Sequence, residues 1–330
     1  MKIIDLFSGI GGFSRGFQKA GYQFTEHYFS EIDKHAIANY KYNFPHAINL
    51  GDITTLHGGD FTDIDIITFG SPCQDFSLAG KREGLKGSKS SLIQHAIALI
   101  AQLRPSVFVW ENVKGAFSSN AGADFWAILQ ALAHIGGYRL EWQLLNTSWV
   151  LPQNRERIYL IGHLAGRSVP GVFPVGKDDK LLEGKTRKEN RKRTSIKTSL
   201  ARTITARYSK MGSNDTYIVP KVAATLTGGG HSGGLHSDMT VIRHKRGRNK
   251  GVRRLTEIEC ERLQGFPDNW TQYGNYDGVI KPIAKTQRYM LIGNAVTVDI
   301  VELIAKRLKF IVDENIPIRT DKRDGAKLYP

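Results

Sequence analysis

The chain has 330 residues, with 46 Lys and Arg against 31 Asp and Glu, a net charge of +15, and an apolar fraction of 41%. That apolar fraction is typical of a globular protein with a buried core. No apolar run approaches the roughly 18–20 residues of a membrane span, and no signal-peptide pattern is present, so we expect no membrane partner. Two cysteines cannot build a disulfide framework, which favours a reducing cytoplasm. No histidine lies near paired cysteines at zinc-ligand spacing, so we expect no metal.

The excess positive charge lies in one segment of the chain. Residues 161–254 hold 21 Lys and Arg and 6 Asp and Glu, whereas the remainder holds 25 residues of each sign. A basic segment within an otherwise neutral chain is typical of a part that faces nucleic acid. A solvated basic linker would give the same count, and charge alone leaves that alternative open.

Strand-like and helix-like segments alternate from residue 2 to about residue 162. Predicted strands lie near residues 2–6, 24–30, 46–50, 64–69, 105–111, 139–145 and 157–162. Predicted helices lie near residues 12–20, 33–43, 91–103 and 123–135. This alternation predicts an α/β, Rossmann-like fold, with a mostly parallel sheet covered by helices on both faces.

Beyond residue 162 the chain becomes rich in Gly, Lys, Arg, Ser and Thr. Residues 201–205 and 223–227 resemble each other at an offset of 22 residues, which predicts two short strand-and-loop units, although chance similarity stays open. Regular texture returns at Leu255, and a helix is predicted after residues 293–295. We therefore predict an α/β domain over 1–162 and 254–310, a small basic mixed-β domain over 163–253, and a polar tail over 311–330.

The first predicted strand leads into a glycine-rich turn, and acidic residues follow the next two strands. Glu31 ends the second strand about twenty positions on, where a carboxylate can bind the hydroxyls of a ribose. Asp52 ends the third and can accept from an adenine amino group. Because the turn contains no Lys or Arg to meet phosphates, a phosphate-free adenosine ligand such as S-adenosyl-L-methionine fits better than NAD. The residues of the turn that we expect to bind it are Phe7, Gly9, Gly11 and Gly12.

Cys73 lies in the run Gly70-Ser71-Pro72-Cys73-Gln74, directly after the fourth strand, and Glu111 ends the fifth. A thiol and an acid delivered by neighbouring strand ends favour covalent catalysis. Carbon 5 of a pyrimidine is a poor nucleophile until a group adds to carbon 6, and a thiolate is suited to that addition. An acid that hydrogen-bonds or protonates ring N3 makes carbon 6 more electrophilic. The pair therefore predicts methyl transfer to carbon 5 of a pyrimidine, with Cys73 as nucleophile and Glu111 as its acid.

Six ordered sequence blocks resemble those of the bacterial-type DNA (cytosine-5) methyltransferases. The blocks are residues 5–12, 71–74, 111–113, 153–157, 254–267 and 292–296. The resemblance implies S-adenosyl-L-methionine as cofactor, and cofactor contacts from Glu31, Ile32, Asp52, Ile53, Ser71, Leu92, Asn294 and Ala295. It implies that Arg157 reaches the target base or its carboxylate partner, with Arg155 nearby, so both join the predicted catalytic set.

The resemblance also implies that the substrate is double-stranded DNA and that residues 163–253 recognise the target. The target base must then be extruded from the duplex. We expect the loop over residues 80–91 to close over it. Lys89 stands where the family usually has an arginine, and a lysine meets a phosphate as a point charge without a planar fork. The DNA-contacting residues that we expect are Lys81, Arg82, Lys86, Lys89, Arg202, Arg207, Lys210, Thr225 and Arg243.

The expected setting is a restriction-modification or DNA-protection role in the cytoplasm of a prokaryotic cell or a phage-infected host, with the protein acting as a monomer on a short site. Two alternatives stay open. A tRNA (cytosine-5) methyltransferase would use the same cysteine chemistry, although residues 162–254 contain no Cys-Phe-Thr signature. A catalytically silent DNA-binding protein would not need the cysteine and the acid together.

Overall fold

The computed structural model describes residues 1–71, 91–117, 119–176, 200–205, 222–227, 241–243 and 252–311. The strands are β1 (Lys2–Leu6), β2 (Glu26–Ser30), β3 (Ile48–Asn49), β4 (Ile66–Gly70), β5 (Val107–Val113), β6 (Tyr138–Asn146), β7 (Gln153–Asn154), β8 (Glu156–Leu164), β9 (Ser168–Val169), β10 (Leu200–Thr205), β11 (Val222–Thr227), β12 (Val241–Arg243), β13 (Val252–Arg254), β14 (Tyr273–Tyr276), β15 (Val279–Pro282) and β16 (Lys309–Phe310). The helices are α1 (Gly12–Lys19), α2 (Lys34–Asn43), α3 (Ser91–Leu103), α4 (Ala123–His134), α5 (Glu257–Leu263), α6 (Lys285–Asn294) and α7 (Val298–Arg307). None of these described helices is long and apolar enough to cross a membrane.

The main sheet has seven strands in the order β3-β2-β1-β4-β5-β8-β6. Strands β1 to β5 are parallel, and β8 runs antiparallel to both of its neighbours. The antiparallel strand follows from chain length, because the connection from β6 to β8 is too short for a crossover helix. The Rossmann-like, mostly parallel fold predicted from the sequence is confirmed. Because β1 lies between β2 and β4, the strand order reverses beside β1, where such sheets bind their ligands.

Helices cover both faces of the sheet because successive apolar side chains along its strands point to opposite faces. Ile4, Ile67 and Phe108 face a core formed with α3 and α4. Their neighbours Ile3 and Ile66 face a second core, which α1 and α7 complete. Continuous apolar runs in the sequence are thus explained by strands that are buried on two sides.

The chain after residue 254 returns to the sheet and completes the α/β domain. Helix α5 begins with a capping box in which Thr256 and Glu259 satisfy each other's backbone N–H groups. Helix α7 packs against α1, and the β14–β15 hairpin packs against α2. The predicted helix after residues 293–295 is present as α7. The sequence analysis did not predict helix α6 or the hairpin.

The two echoed segments of the basic region are neighbouring strands. Strand β10 pairs in parallel with β11, with Leu200 opposite Val222 and Thr205 opposite Thr227. Strand β11 in turn pairs with β7, where Ala224 lies opposite Asn154. The basic region is therefore joined to the α/β domain by backbone pairing at β7.

Candidate active site

The turn after β1 is held in a conformation that leaves its backbone open. Gly9 has a φ of 53° and Gly11 a φ of 79°, values in the left-handed region that favours glycine. A Cβ placed on Gly9 would meet no atom within 4 Å. Gly9 N donates to Glu31 Oε2 at 2.9 Å, so the turn and the end of β2 are tied together.

The end of β2 presents a fixed carboxylate beside exposed apolar surface. Glu31 Oε1 accepts from the backbone N–H groups of Ile32 at 2.8 Å and Asp33 at 3.0 Å. The Ile32 side chain is 74% exposed, which is unusual for isoleucine. The Ser30 hydroxyl donates to Gly51 O at 2.7 Å and so ties this edge to the segment that holds Asp52. Asp52 is exposed, while Ile53 beside it is buried in the same core cluster that Leu92 packs against.

A cavity of about 310 Å³, which includes space open to solvent, lies at the carboxyl ends of β1, β4 and β5. Four separate parts of the chain meet there. The lining residues are Phe7, Ser8, Gly9, Phe13, Gly70, Glu111, Asn294, Ala295 and Val296. Five residues expected at the site from the sequence (Phe7, Gly9, Glu111, Asn294 and Ala295) therefore share one cavity.

Glu111 forms an ion pair with Arg157 in a largely buried position. Arg157 Nε lies 3.0 Å from Glu111 Oε1, and both side chains are nearly buried. Among the described residues, no N–H group is aligned for a hydrogen bond to that same oxygen. Glu111 therefore reaches the cavity as a carboxylate whose charge is paired and whose oxygen can still accept from a bound group.

Ser71, which follows β4 and precedes Pro72-Cys73, is bound by two side chains of β5. Its hydroxyl accepts from Trp110 Nε1 at 3.0 Å and from Asn112 Nδ2 at 3.1 Å. Gly70 lies directly opposite Glu111 in the β4–β5 register. The chain thus enters Pro72-Cys73 from a point fixed beside Glu111, although Cys73 itself lies outside the described residues.

Arg155 makes different hydrogen bonds from Arg157, although the charges of both arginines act on Tyr159. Its side chain is 3% exposed, and its guanidinium donates to Gly293 O at 3.2 Å and Ala295 O at 2.9 Å. These contacts hold the backbone that lines the cavity. The sequence grouped Arg155 with Arg157, and the two side chains have different hydrogen-bond partners.

Comparison with known proteins agrees with this arrangement. Residues 1–310 match the model of the C-5 cytosine-specific DNA methylases. The chain is 32% identical to Type II methyltransferase M.NgoBI of Neisseria gonorrhoeae, over 99% of this chain and 98% of that protein. It is 30% identical to Type II methyltransferase M.Bsp6I of a Bacillus species, over 93% and 98% of the two chains.

The chain belongs to the C-5 cytosine-specific DNA methylase family. It is a DNA methyltransferase that uses S-adenosylmethionine as methyl donor. In fold it is similar to Schizosaccharomyces pombe Dnmt2 methyltransferase, with a TM-score of 0.64 at 20% identity over 92% of this chain and 97% of the other. It is also similar to a putative DNA modification methyltransferase from an E. coli prophage, with a TM-score of 0.59 at 24% identity over 93% and 97%.

The cavity of this DNA methylase fits the cofactor in three respects. Open space above Gly9 lets a ligand approach the backbone, and Glu31 is held at the second strand end. The buried hydroxyl of Ser8 lines the cavity and has no partner among the described groups, so a bound molecule can satisfy it. The space at Gly11 and Gly12 is filled instead by protein: a Cβ on Gly12 would lie 2.6 Å from Val296 Cγ2. These two glycines therefore allow close packing of the methylase fold.

Several expected site residues of the methylase lie where side chains are not described. Cys73, Lys81, Arg82, Lys86, Lys89, Arg207 and Lys210 lie outside the described residues. Arg202, Thr225 and Arg243 lie in strands β10, β11 and β12 by backbone position only. Within the described ranges, no group of three His, Cys, Asp or Glu side chains could hold a metal ion.

Three residues at the methylase site were not singled out from the sequence. They are Ser8, which lines the cavity, Asn112, which holds Ser71, and Gln264, which binds the carbonyls of Ile292 and Ala295. Each lies inside a sequence block that resembles the family. The blocks could therefore have indicated these three residues. The contacts that the residues make depend on strands and helices that meet only in the folded chain.

Proposed function

We propose that this protein methylates carbon 5 of a cytosine in double-stranded DNA, with Cys73 as nucleophile and Glu111 as the acid that assists at ring N3. The observation that carries the proposal is the position of Glu111. Its carboxylate reaches the cavity with a free acceptor position, and Gly70 opposite it leads within three residues to Cys73. Three residues of chain span at most about 11 Å, so the thiol and the acid can act on one base.

The chemistry follows from these two groups. As the Cys73 thiolate forms a bond to carbon 6, the proton that the Glu111 carboxyl shares with N3 moves onto N3, and the displaced π electrons make carbon 5 nucleophilic. When bound, S-adenosylmethionine would supply the methyl group that carbon 5 receives and would be left as S-adenosylhomocysteine. Loss of the carbon 5 proton to a base, return of the N3 proton to Glu111 and elimination of Cys73 as a thiolate then restore the aromatic ring.

The two arginines have separate roles in this proposal. Arg157 compensates the Glu111 charge and orients its carboxylate toward the base. Arg155 is a positioning residue, because its described contacts are to the backbone of Gly293 and Ala295. Cys73, Glu111 and Arg157 are the groups that we propose contact the base, with Arg155 nearby, as expected from the sequence.

We propose residues 163–253 as the target-recognition domain, with the α/β domain over 1–162 and 254–310 and a tail over 311–330. The basic charge of the segment and the pairing of β11 with β7 support this division. The target cytosine must leave the stacked duplex, at a cost of about a few kcal/mol. We assign closure over the extruded base to residues 80–91, and DNA contacts to the basic residues expected from the sequence.

We further propose that the protein protects DNA as part of a restriction-modification system, as a monomer, in the cytoplasm of a prokaryotic cell or a phage-infected host. Supporting relatives include Type II methyltransferases of Neisseria and Bacillus and an orphan methyltransferase of a Bacillus phage. A monomer is the assembly that we expect for an enzyme that acts on a short asymmetric site.

The decisive experiment measures methyl transfer from labelled S-adenosylmethionine to unmethylated duplex DNA of mixed sequence, followed by nucleoside analysis, with Cys73→Ser as the control. The expected product is 5-methylcytosine, absent with the control. Label on an exocyclic amino group would overturn the proposed mechanism. Label on tRNA and not on DNA would overturn the proposed substrate.

A further inference from the structure

Two buried side chains bind the C-terminal end of α6. The last carbonyl groups of a helix have no partner within it and must find one elsewhere. Gln264 Nε2 donates to Ile292 O at 3.1 Å and reaches Ala295 O at 3.4 Å. Arg155 donates to Gly293 O and Ala295 O, and its positive charge at a helix C-terminus is favourable. Gln264 and Arg155, which are distant in the sequence, therefore bind carbonyl groups at the same helix end.

The Gln264 amide is held in one orientation. Its Oε1 accepts from the Thr297 hydroxyl at 3.0 Å, and that hydroxyl lies 2.8 Å from the hydroxyl of Thr147. Gln264 is fully buried, and Thr147 and Thr297 are 2% and 1% exposed. Because the amide oxygen is bound by Thr297, the amide nitrogen must face the carbonyls of α6. Rotation of the amide would place its oxygen against those carbonyls, and Ile292 O would lose the hydrogen bond from Nε2.

Residues 294–296, at the end of α6 that Gln264 and Arg155 bind, form one wall of the cavity. Asn294, Ala295 and Val296 line it opposite the glycine turn and Glu111. Asn294 is exposed between Gly293 and Ala295, whose carbonyls are the ones bound. Gln264 does not line the cavity, so it can influence bound molecules only through this wall.

We propose that Gln264, oriented by Thr297, is a positioning residue that sets the cavity wall at residues 294–296 and thereby the affinity for S-adenosylmethionine and the rate of methyl transfer. This inference rests on the proposed function only for the rate. Cofactor binding follows from the cavity wall itself and can be measured without DNA.

The test compares two buried threonines, Thr297 and Thr271. Thr297→Val removes the hydroxyl that orients Gln264 and keeps the side-chain volume. Thr271→Val is the matched control, because Thr271 is fully buried and its hydroxyl bonds Glu261 and Arg288 away from the cavity wall. Thr297→Ser retains the hydroxyl and serves as the conservative variant.

Cofactor affinity is measured by calorimetry without DNA, at a temperature where circular dichroism shows each variant folded. Thr297→Val should raise the Kd for S-adenosylmethionine by roughly tenfold, the equivalent of about one buried hydrogen bond, and lower kcat. Thr297→Ser and Thr271→Val should stay within about twofold of the parent protein. A Thr297→Val protein with unchanged Kd and kcat but reduced Tm would overturn the inference, since the contact would then be only structural.

If Thr297→Val does not fold, Gln264→Met gives the same comparison, because it conserves volume and removes both amide contacts. The two proposals fail differently. A parent protein that binds the cofactor but transfers no label to DNA would contradict the proposed function, and the test of Gln264 by cofactor affinity would still be possible. A Gln264→Met protein that binds and reacts as the parent does would contradict the positioning role of Gln264 and leave the proposed function intact.

Discussion

Glu111 and Arg157 form a diagonal ion pair on one face of two antiparallel strands, with Nε and Oε1 3.0 Å apart. In the register Glu111 lies opposite Tyr159, so Arg157 is two positions along the same face. This placement brings Glu111 to the cavity and Arg157 beside it. The position of the proposed acid is therefore set by strand pairing, and its charge is compensated by a residue 46 positions away in the sequence.

The first prediction concerns this pair. Glu111→Gln should lower kcat by about 10²–10⁴-fold, because the amide keeps the shape but cannot serve as the acid at N3. It should also lower Tm, because Arg157 loses its charged partner in a nearly buried position. Arg157→Lys should give a smaller loss, since lysine keeps the charge but not the planar group that contacts Oε1. Steady-state kinetics with labelled cofactor provide the measurement. Arg139→Lys, an exposed position on neighbouring β6, is the control and should be silent. Equal losses in all three would contradict the assignment.

The second prediction concerns the start of the cysteine loop. Ser71→Ala should lower the free energy of unfolding by about 1–3 kcal/mol, because Trp110 Nε1 and Asn112 Nδ2 lose their acceptor in a buried site. It should also lower kcat, since the residue anchors the entry to Pro72-Cys73. Urea denaturation and kinetics measure the two effects. The control is Ser168→Ala, which removes a similarly buried hydroxyl that contacts His163. It should lower stability but leave kcat unchanged. A similar loss of kcat there would argue against a local role for Ser71.

The third prediction concerns close packing beneath the cavity. A Cβ on Gly12 would lie 2.6 Å from Val296 Cγ2 and 3.0 Å from Val296 O, and the backbone oxygen cannot move aside cheaply. Gly12→Ala should destabilise the protein by about 1–3 kcal/mol and weaken cofactor binding, because Val296 lines the cavity. Thermal denaturation and calorimetry check this. Gly59→Ala is the control, since its Cβ would meet no atom within 4 Å. Unchanged cofactor binding in Gly12→Ala would contradict the prediction.

The fourth prediction concerns a buried polar network behind the glycine turn. Asp5 Oδ2 accepts from Ser14 and Tyr40, and His27 Nε2 contacts the same two hydroxyl groups. Burial raises the pKa of Asp5 to about 7 and lowers the pKa of His27 to about 4. The folded protein thus keeps a proton on Asp5 that the unfolded chain releases above pH 4. The unfolded chain binds a proton on His27, below pH 6.5, that the folded protein lacks.

The signs follow from proton linkage, because stability falls with pH where the folded state binds more protons. As pH rises from 4 to 7, the parent protein loses the stability that comes from the proton on Asp5, and Asp5→Asn does not. The unfolding free energy of Asp5→Asn minus that of the parent should therefore rise by about 4 kcal/mol over this range. As pH rises from 4 to 6.5, the parent gains stability because the unfolded chain loses its proton on His27, and His27→Gln does not. The unfolding free energy of His27→Gln minus that of the parent should therefore fall by about 3 kcal/mol. Urea denaturation at several pH values measures both. Parallel pH profiles for all three proteins would contradict the assignment.

The fifth prediction concerns DNA binding by the loop after the nucleophile. The variant replaces four basic residues with glutamine: Lys81, Arg82, Lys86 and Lys89. If each contacts a phosphate, the slope of log K against log salt should become less steep by roughly 3–4 units, at about 0.9 per contact. Fluorescence anisotropy over a salt series checks this. The charge-matched control replaces exposed residues at the sheet edge opposite the cavity, namely Arg139, Arg167, Lys306 and Lys309. An unchanged slope in the loop variant, or an equal change in the control, would contradict closure on DNA.

The sequence by itself determined the strands and helices of the sheet and the residues that stand at strand ends. Predicted strand 2–6 and helices 91–103 and 33–43 agree with the structure to within a residue, because alternating apolar patterns and glycine turns are local properties. It also determined Glu31 as a partner of the glycine turn, since parallel strands bring their carboxyl ends to one edge.

Only the tertiary structure decided which side chains meet. Arg155 and Arg157 are two residues apart in one short motif, yet one binds a helix end and the other the catalytic carboxylate. Gln264 and Thr147 reach the same cavity wall from more than a hundred positions apart, through helix α6 and Thr297. The physical reason is that a buried polar group must find its partner wherever packing places one, and packing across the sheet brings together residues that are distant in the sequence.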